Sequence, residues 1–596
     1  MSYAAPLQDM RFALNAVAGL SEIAAMPGCE EADPDVVDAI LEEAAKFASG
    51  VLAPLNASGD RQGSRLENGT VVTPPGFAEA YRAFTESGWG GLDADARYGG
   101  QGLPHLVAYP VHEMWKAANL SFSLCPMLTT GAVKAILHHG TDAQRSLYLP
   151  KMVAGQWTGT MNLTEPQAGS DLSAVRTRAA PDGDRYRIRG TKIFITWGDH
   201  DMAENVVHLV LARLPDAPEG VKGISLFIVP KFLVNADGSL GARNDLRVVS
   251  LEHKLGIHAS PTAVMAFGDQ GGAVGYLVGE PNRGLEYMFT MMNHARLAVG
   301  LEGVGIAERA YQQALAYARE RVQGRPVGHQ GAERAPIIHH PDVRRMLMHM
   351  KATTEAMRAL AYFAAAQMDK AERHPDLEER RRAQALTDLL TPVVKGWCTE
   401  TAIEIASTGI QVHGGMGFVE ETGAAQHLRD ARITTIYEGT TGIQAGDLVG
   451  RKVARESGRT ATALIRSMRD EVRSLEAGAD EKLAPIAEAL KQGVDALEQA
   501  TAWVVQTYPQ DPAAAAAASV PYLKLFGVVS GGWLQARAAM AARQRLQDPA
   551  NDAGFLETKI ATARYFADHM LPQAGACAHQ VLRGSGSVMA LDVERF

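Results

Sequence analysis

The sequence predicts a multidomain α+β fold: an N-terminal α-helical domain, a middle β-barrel domain, a C-terminal α-helical bundle and an additional C-terminal α domain. Three observations predict it. Apolar residues recur at helical spacing through residues 35–157 and again after residue 285. Between those regions, short β-rich runs are punctuated by Gly, Pro, Asp and Asn. The 596 residues, 46% of them hydrophobic, are enough for several buried cores.

Residues 1–34 read as an N-terminal extension with a short amphipathic piece. In the helical domain 35–157, Val36, Val37, Ile40, Leu41 and Ala44 set the period, and segments near 78–88, 106–120 and 128–153 repeat it. A turn-rich loop, Tyr98-Gly99-Gly100-Gln101-Gly102, lies between them. The β domain spans 158–285, with strands at 192–196, 206–211 and 224–229. The bundle 286–460 is built from long patterns at 285–321, 341–372 and 376–409. A further helical domain covers 461–596, where the alanine-rich stretch 512–518 suits a helix or a linker.

Charge and composition narrow the function. A net charge of -9 argues against a nucleic-acid or anionic-membrane surface as the main partner. Residues 461–596 carry 13 Lys+Arg against 15 Asp+Glu, so the last domain is no basic platform. Cys29, Cys125, Cys398 and Cys577 lie far apart and read as buried or free thiols, not a disulfide frame or metal site. The N-terminus has no basic region and apolar core of a leader, and no segment approaches the roughly 18 apolar residues of a spanning helix. A cytoplasmic protein is expected. There is no GxGxxG in a βαβ unit, no GxxxxGK[ST], no HExxH and no GxSxG.

Four stretches carry chemistry. In 433–442, a β-branched run (Ile433 to Ile436) reads as extended or buried and leads to Glu438. Gly439 frees the backbone there, and Thr440 or Thr441 can cap a helix beginning near Ile443. Burial raises a carboxylate's pKa and a helix N-terminus lowers it, so this corner can tune a base; alone, it is also an ordinary Glu at a helix start. The loop 161–171, with Thr164, Pro166, Gly169 and Ser170, offers hydroxyls and open backbone to a planar heterocycle or a pyrophosphate, or is a plain surface turn. Phe194 and Thr196, two apart on one strand, share a face that would suit an isoalloxazine ring or a core. In 411–418, three glycines in four positions cap a helix or admit a phosphate.

In this order, the four stretches resemble the acyl-CoA dehydrogenase family of flavoproteins. Thr164-Glu165-Pro166-Gln167-Ala168-Gly169-Ser170-Asp171 looks like its first signature, and 411–418 through Ile436-Tyr437-Glu438-Gly439-Thr440 like its second. The resemblance covers about 35–460. The opening MSYAAPLQDMRF and residues 461–596 resemble a longer branch, some members of which act on 3-methylmercaptopropionyl-CoA and others on fatty acyl-CoA.

The resemblance implies FAD, an acyl-CoA substrate, an electron-transfer flavoprotein as acceptor and a homodimer or homotetramer. It implies Glu438 as the α-proton base. Thr196 would face flavin N5, Phe194 would wall the ring, and Met161, Leu163, Thr164, Gly169 and Ser170 would line the cofactor, with Ser170 also near CoA. Arg321, with Gln411 and Gly415, would meet the FAD of a neighbouring subunit, and Gly414 and Thr440 join the cofactor set. Asn293, Arg296, Tyr437 and Gly439 would hold substrate. No metal is implied. The chain departs from the family at Arg321-Val322-Gln323-Gly324-Arg325-Pro326, which lacks an aromatic, and in the expanded stretch 327–340. Gly442 replaces a common Gln, and Asn293 a common Asp. Ala295 stands where some relatives place the base, which favours Glu438. An acyl-CoA oxidase and a non-catalytic DNA-binding flavoprotein are the alternatives.

Overall fold

The computed structural model describes residues 3–328 and 334–596. It has helical domains on either side of a β barrel, in the predicted order. The N-terminal domain opens with a helix at Pro34–Phe47, capped by Asp33, whose side chain accepts the Asp35 N–H. A hairpin follows, β1 (Arg65–Glu67) with β2 (Thr70–Val72). Two long helices, His105–Ala118 and Leu120–His139, then pack against the bundle.

Helix Leu120–His139 corrects an expectation. Its best 18-residue window has a mean hydropathy of 1.4, so among the described residues one helix is long and apolar enough to cross a membrane. Here 78% of that window is buried within the protein, so its apolar character is satisfied by the core. The sequence reading missed it because Ser, Thr and Lys134 interrupt the apolar run.

The barrel runs from β3 (Trp157–Asn162) and β4 (Arg178–Asp182) through β5 (Arg185–Thr196), β6 (Asn205–Arg213) and β7 (Ile224–Pro230). A small pair, β8 (Phe232–Val234) and β9 (Leu240–Arg243), precedes β10 (Leu246–Leu251), β11 (Thr262–Phe267) and β12 (Ala273–Val278). Strands β5, β12, β7, β6 and β4 form a closed ring, because β4 pairs with both β5 and β6. Long β5 is shared: its first half pairs with β4 and β12, and its second half with β11. Ile188, Val210, Phe227, Val229 and Phe267 fill the interior.

Three long helices make the bundle: Gly284–Glu320, Pro341–Arg373 and Leu377–His413. Pro341 at the first turn and the Asp376 side chain, which accepts the Glu378 N–H at 2.8 Å, start the last two. Helices Arg459–Ala477, Ala484–Thr507, Ser519–Arg545, Ala553–His569 and Gln573–Arg583 build the further domain. The alanine-rich stretch is a short helix, Pro512–Ala517, capped by Asp511.

The first 34 residues are more than an appendage. Met10, Leu14 and Ile23 are fully buried, Phe12 meets the Phe555 ring edge-on at 5.6 Å, and Lys559 pairs with Asp9. This segment fills a seam between the bundle and the last domain. The segment is rich in apolar residues, but its helical pieces are short, broken at Gly19 and ending at Ala24, so no long period announces a core role.

The last domain is packed onto the bundle without slack. A Cβ at Gly527 would lie 2.2 Å from Cγ of Trp397, and Phe363 meets Trp533 at 5.1 Å. Gly527→Ala must therefore displace a buried indole, and is expected to destabilise by about 1–3 kcal/mol in denaturant melts. An unchanged midpoint would show that this contact is easily relaxed.

Candidate active site

Glu438 lies at a turn between two helices. The β-branched run before it is not extended: Ile433 and Thr434 end the helix Ala424–Thr434, and the chain then turns. Tertiary contacts override β propensity here. The Asp430 carboxylate of that helix accepts the Ile257 N–H at 2.6 Å, and Arg429 donates to Asp60 at 3.1 Å. The helix that delivers Glu438 is thus tied to both the barrel loop and the N-terminal domain. After the turn, Thr440 caps the helix Thr441–Gly446, accepting the Ile443 N–H.

Glu438 itself has φ +55°, a left-handed conformation that side chains with a Cβ disfavour. Such strain persists only where surroundings fix it. Here the fixing groups are two buried side chains: Lys395 Nζ donates to the Gly439 carbonyl at 2.7 Å, and Gln444 Nε2 to the Glu438 carbonyl at 2.9 Å. Gly439, at φ +91°, continues the turn.

The electrostatics suit a base. Burial raises the Glu438 pKa; Arg296 and Lys395 pull it down and Glu302 pushes it up, leaving it at about 7. Burial brings Lys395 down to about 8 against the opposing pull of Glu438 and Glu302. Arg296 is buried, 3.6 Å from Asp447 and 3.5 Å from the Asn293 side chain, and its Nε has no hydrogen-bond partner among the described residues. Asn293 is exposed on the same helix. Tyr437 donates to the buried Glu302.

The barrel presents a second surface. The Ile193 N–H donates to the Thr164 carbonyl at 2.9 Å, which joins the 163–171 loop to β5. Lys192, fully buried, donates to the Leu163 carbonyl at 2.9 Å and to Glu165 at 2.8 Å. Glu165 also accepts from the main chain of Arg176 and Thr177 and from the Thr177 hydroxyl. Together these bonds hold Glu165 at a pKa of about 2. Leu163 and Ala168 are buried, Met161 and Thr164 half-buried, and Gly169 and Ser170 exposed.

Phe194 and Thr196 do share a face by exposure, but not through a regular strand. Phe194 is 59% exposed, Ile195 only 2%, and Thr196 half-buried. Phe194 has φ +58°, and the β5–β11 register shifts between the Ala263 and Met265 pairs. A bulge therefore turns the aromatic outward.

The remaining candidates gather at one end of the bundle. Tyr317 and His413 meet at 4.5 Å, which brings the C-termini of helices Gly284–Glu320 and Leu377–His413 together. Arg321, Gln411, Gly414 and Gly415 are exposed there. Gly414 ends its helix at φ +60°, a conformation open to glycine and outside the left-handed helical cap. The Arg321 carbonyl accepts the Ile337 N–H at 2.8 Å, so the chain after it forms a short arm. Residues 329–333 of the expanded stretch lie outside the described residues.

These residues fit a flavin nucleotide. An exposed aromatic is propped on a bulge beside hydroxyls, and a Cβ at Gly169, Gly414 or Gly415 would meet nothing within 4 Å, so their backbone is open to a ligand. Sequence reasoning missed the groups that hold this surface: Lys192, Lys395, Glu302 and Lys116. Lys395 and Glu302 are each a lone charge in an apolar run, as in Val393-Val394-Lys395-Gly396-Trp397, and Lys192 and Lys116 border apolar residues. A charge so placed is buried only when paired, which was the available signal.

Four family profiles match the chain in order: "Acyl-CoA dehydrogenase, N-terminal domain" over residues 35–156, "middle domain" over 160–269, "C-terminal domain" over 282–453 and "Acetyl-CoA dehydrogenase C-terminal like" over 464–592. The chain is 51% identical over 583 residues, 97% of each chain, to the 3-methylmercaptopropionyl-CoA dehydrogenase of Ruegeria pomeroyi. It is 35% identical over the whole of both chains to the broad-specificity linear acyl-CoA dehydrogenase FadE5 of Mycobacterium tuberculosis. Its fold is similar to that of an acyl-CoA dehydrogenase complexed with FAD from Bacillus anthracis, with a TM-score of 0.74 at 21% identity over 94% of this chain and 90% of that one. The chain belongs to the acyl-CoA dehydrogenase family of FAD-dependent oxidoreductases.

Proposed function

We propose that this protein oxidises 3-methylmercaptopropionyl-CoA, with Glu438 as the base that removes the α-proton. The observation that carries the base is the left-handed, half-buried Glu438, whose pKa of about 7 lets it hold a proton or release it near neutrality. The substrate rests on the relative that is 51% identical along the chain.

Phe194, Thr164, Thr196, Leu163 and Met161 hold the isoalloxazine end of FAD, and Gly169 and Ser170 the chain beyond it. Bound there, FAD would supply the acceptor for the hydride that leaves the β-carbon of the acyl chain. The protein's own residues do the rest. Glu438 takes the α-proton as that hydride leaves, so the thioester becomes a trans-2-enoyl-CoA. Gly439 and Tyr437 border the acyl group, and Arg296 and Asn293 face the CoA moiety. Arg321, Gln411, Gly414, Gly415 and Thr440 complete the cofactor contacts, the first four toward the neighbouring subunit of a homodimer. Exposed Met416 and Phe418 beside them support a covered face. An electron-transfer flavoprotein takes the electrons.

The test is anaerobic mixing of the FAD-loaded protein with a panel of thioesters while flavin absorbance is followed. Bleaching is expected to be fastest with 3-methylmercaptopropionyl-CoA, and the reduced protein is expected to reoxidise faster with electron-transfer flavoprotein than in air. Faster bleaching with butyryl- or longer linear acyl-CoA would instead assign a fatty acyl substrate. Rapid reoxidation by oxygen alone would make it an oxidase.

A further inference from the structure

A second carboxylate lies behind the base. Glu302 is fully buried in helix Gly284–Glu320, between Gly300-Leu301 and Gly303-Val304. One of its oxygens accepts the hydroxyl of Tyr437, the residue before Glu438. The other, Oε1, has no hydrogen-bond partner among the described residues and faces Lys116 Nζ at 4.0 Å. Lys116 comes from a different helix, His105–Ala118, is itself buried, and hydrogen-bonds only the Met127 sulfur among the described residues. Burying an acid and an ammonium at such a separation stabilises little, because desolvation offsets their attraction. A hydrophobic pair would serve the core as well. The arrangement makes sense through its neighbour.

We propose that Glu302 is a positioning residue for Glu438: from beneath the turn it holds Tyr437 by a hydrogen bond and sets a buried negative charge against the base. This rests on Glu438 being the base. The geometry supplies two separable effects. The hydrogen bond fixes Tyr437, and so the left-handed residue that follows it. Burial raises the Glu302 pKa while Lys116, the Tyr437 hydrogen bond and Lys395 lower it; ionised, Glu302 opposes ionisation of Glu438, while Lys395 on helix Leu377–His413 and Arg296 on the same helix as Glu302 favour it. Asp430 also faces Tyr437, and Glu400 faces Lys395. Without Glu302, two cations would act on Glu438 with only burial to oppose them. The base would then release its proton too readily at neutral pH, and would be a weaker acceptor.

The substitutions Glu302→Gln and Glu302→Asp separate the effects. Gln keeps an acceptor for Tyr437 and removes the charge; Asp keeps the charge and falls short of the hydroxyl. In the FAD-loaded protein, Glu302→Gln is expected to move the acidic limb of the bleaching rate against pH downward by roughly half to one pH unit. Glu302→Asp is expected to leave that limb in place and to lower the plateau rate about tenfold, through a misplaced base. If Glu302→Gln leaves Lys116 too costly to bury and does not fold, the double substitution Lys116→Met with Glu302→Gln removes the pair together and is expected to show the same downward shift. A limb that coincides with the native one in the Gln variant, or in the double variant, overturns the proposal. Glu438→Gln separates this from the parent reading. If that variant bleaches at the native rate, the base is wrong; if it does not bleach while Glu302→Gln keeps the native limb, only the positioning role fails.

Discussion

Glu438→Gln is expected to retain FAD and bind acyl-CoA, yet bleach about 10²–10⁴-fold more slowly than the native protein. The amide is close to isosteric and cannot accept the α-proton, while the fold around it is held by groups that do not depend on the carboxylate. Lys395 bonds to the Gly439 carbonyl, Gln444 to that of residue 438, and Thr440 caps the next helix. A native bleaching rate in this variant would end the assignment.

The pH dependence follows from the same residue. The Glu438 pKa is raised from 4.5 to about 7, so the fraction able to accept a proton grows as pH rises through 7. The native bleaching rate should rise on that limb and then level off. Stability should run the other way. Between 4.5 and 7 the folded state binds a proton that the unfolded state has released, so this group's contribution falls as pH rises. Above 7 the protein carries a half-buried, poorly solvated carboxylate that it would be more stable without. Glu438→Gln removes that burden, so its denaturant midpoint should exceed the native one at pH 8, with a smaller difference at pH 5.5. A difference of equal size at both pH values would mean that Glu438 is not held as an acid with a raised pKa.

Much of the site was legible because flavin and thioester chemistry leave compact marks. A carboxylate beside Gly439, a Pro–Gly loop at 166–169 and a glycine cluster at 414–417 each stand out against helical or strand periodicity. Two helix bounds were legible for a related reason: Pro341 suits the first turn of a helix, and Gly414 takes a positive φ that a side chain disfavours. What was hidden depends on contacts between distant segments. Ile433 to Ile436 has the composition of a strand and ends a helix, because Asp430 and Arg429 dock that helix on residues about 170 and 370 positions away in sequence. Residues 1–34 are rich in apolar residues but form only short helical pieces, so no long period marks them, yet Met10 and Leu14 share one core with a domain about 450 residues later. The outward turn of Phe194 comes from a register shift between β5 and β11, which alternation alone cannot reveal.

Lys192→Met is expected to destabilise the protein by about 3–5 kcal/mol and to release most of its FAD. Among the described residues Lys192 is the one cation paired with Glu165, and both side chains are buried. Deleting the ammonium leaves a buried carboxylate held only by neutral donors from Arg176, Thr177 and Gln167. The acidic side of the stability curve should change with it. Glu165 sits at about 2, below its ordinary value of 4.5, so in the native protein its contribution is complete above 4.5 and is lost as pH falls toward 2. In the Met variant that loss should begin at higher pH. The charge is only half of the role, since Lys192 also donates to the Leu163 carbonyl and so ties the 163–171 loop to β5. Adding Glu165→Gln to Lys192→Met should therefore recover part of the stability, because no unpaired charge stays buried. It should not restore FAD, because Leu163 still lacks its donor. The ratio of flavin to protein absorbance reads one effect and chemical denaturation the other. Parallel recovery of both would mean that the ion pair, and not the hydrogen bond to Leu163, shapes the loop; native values of both in the single variant would mean that neither does.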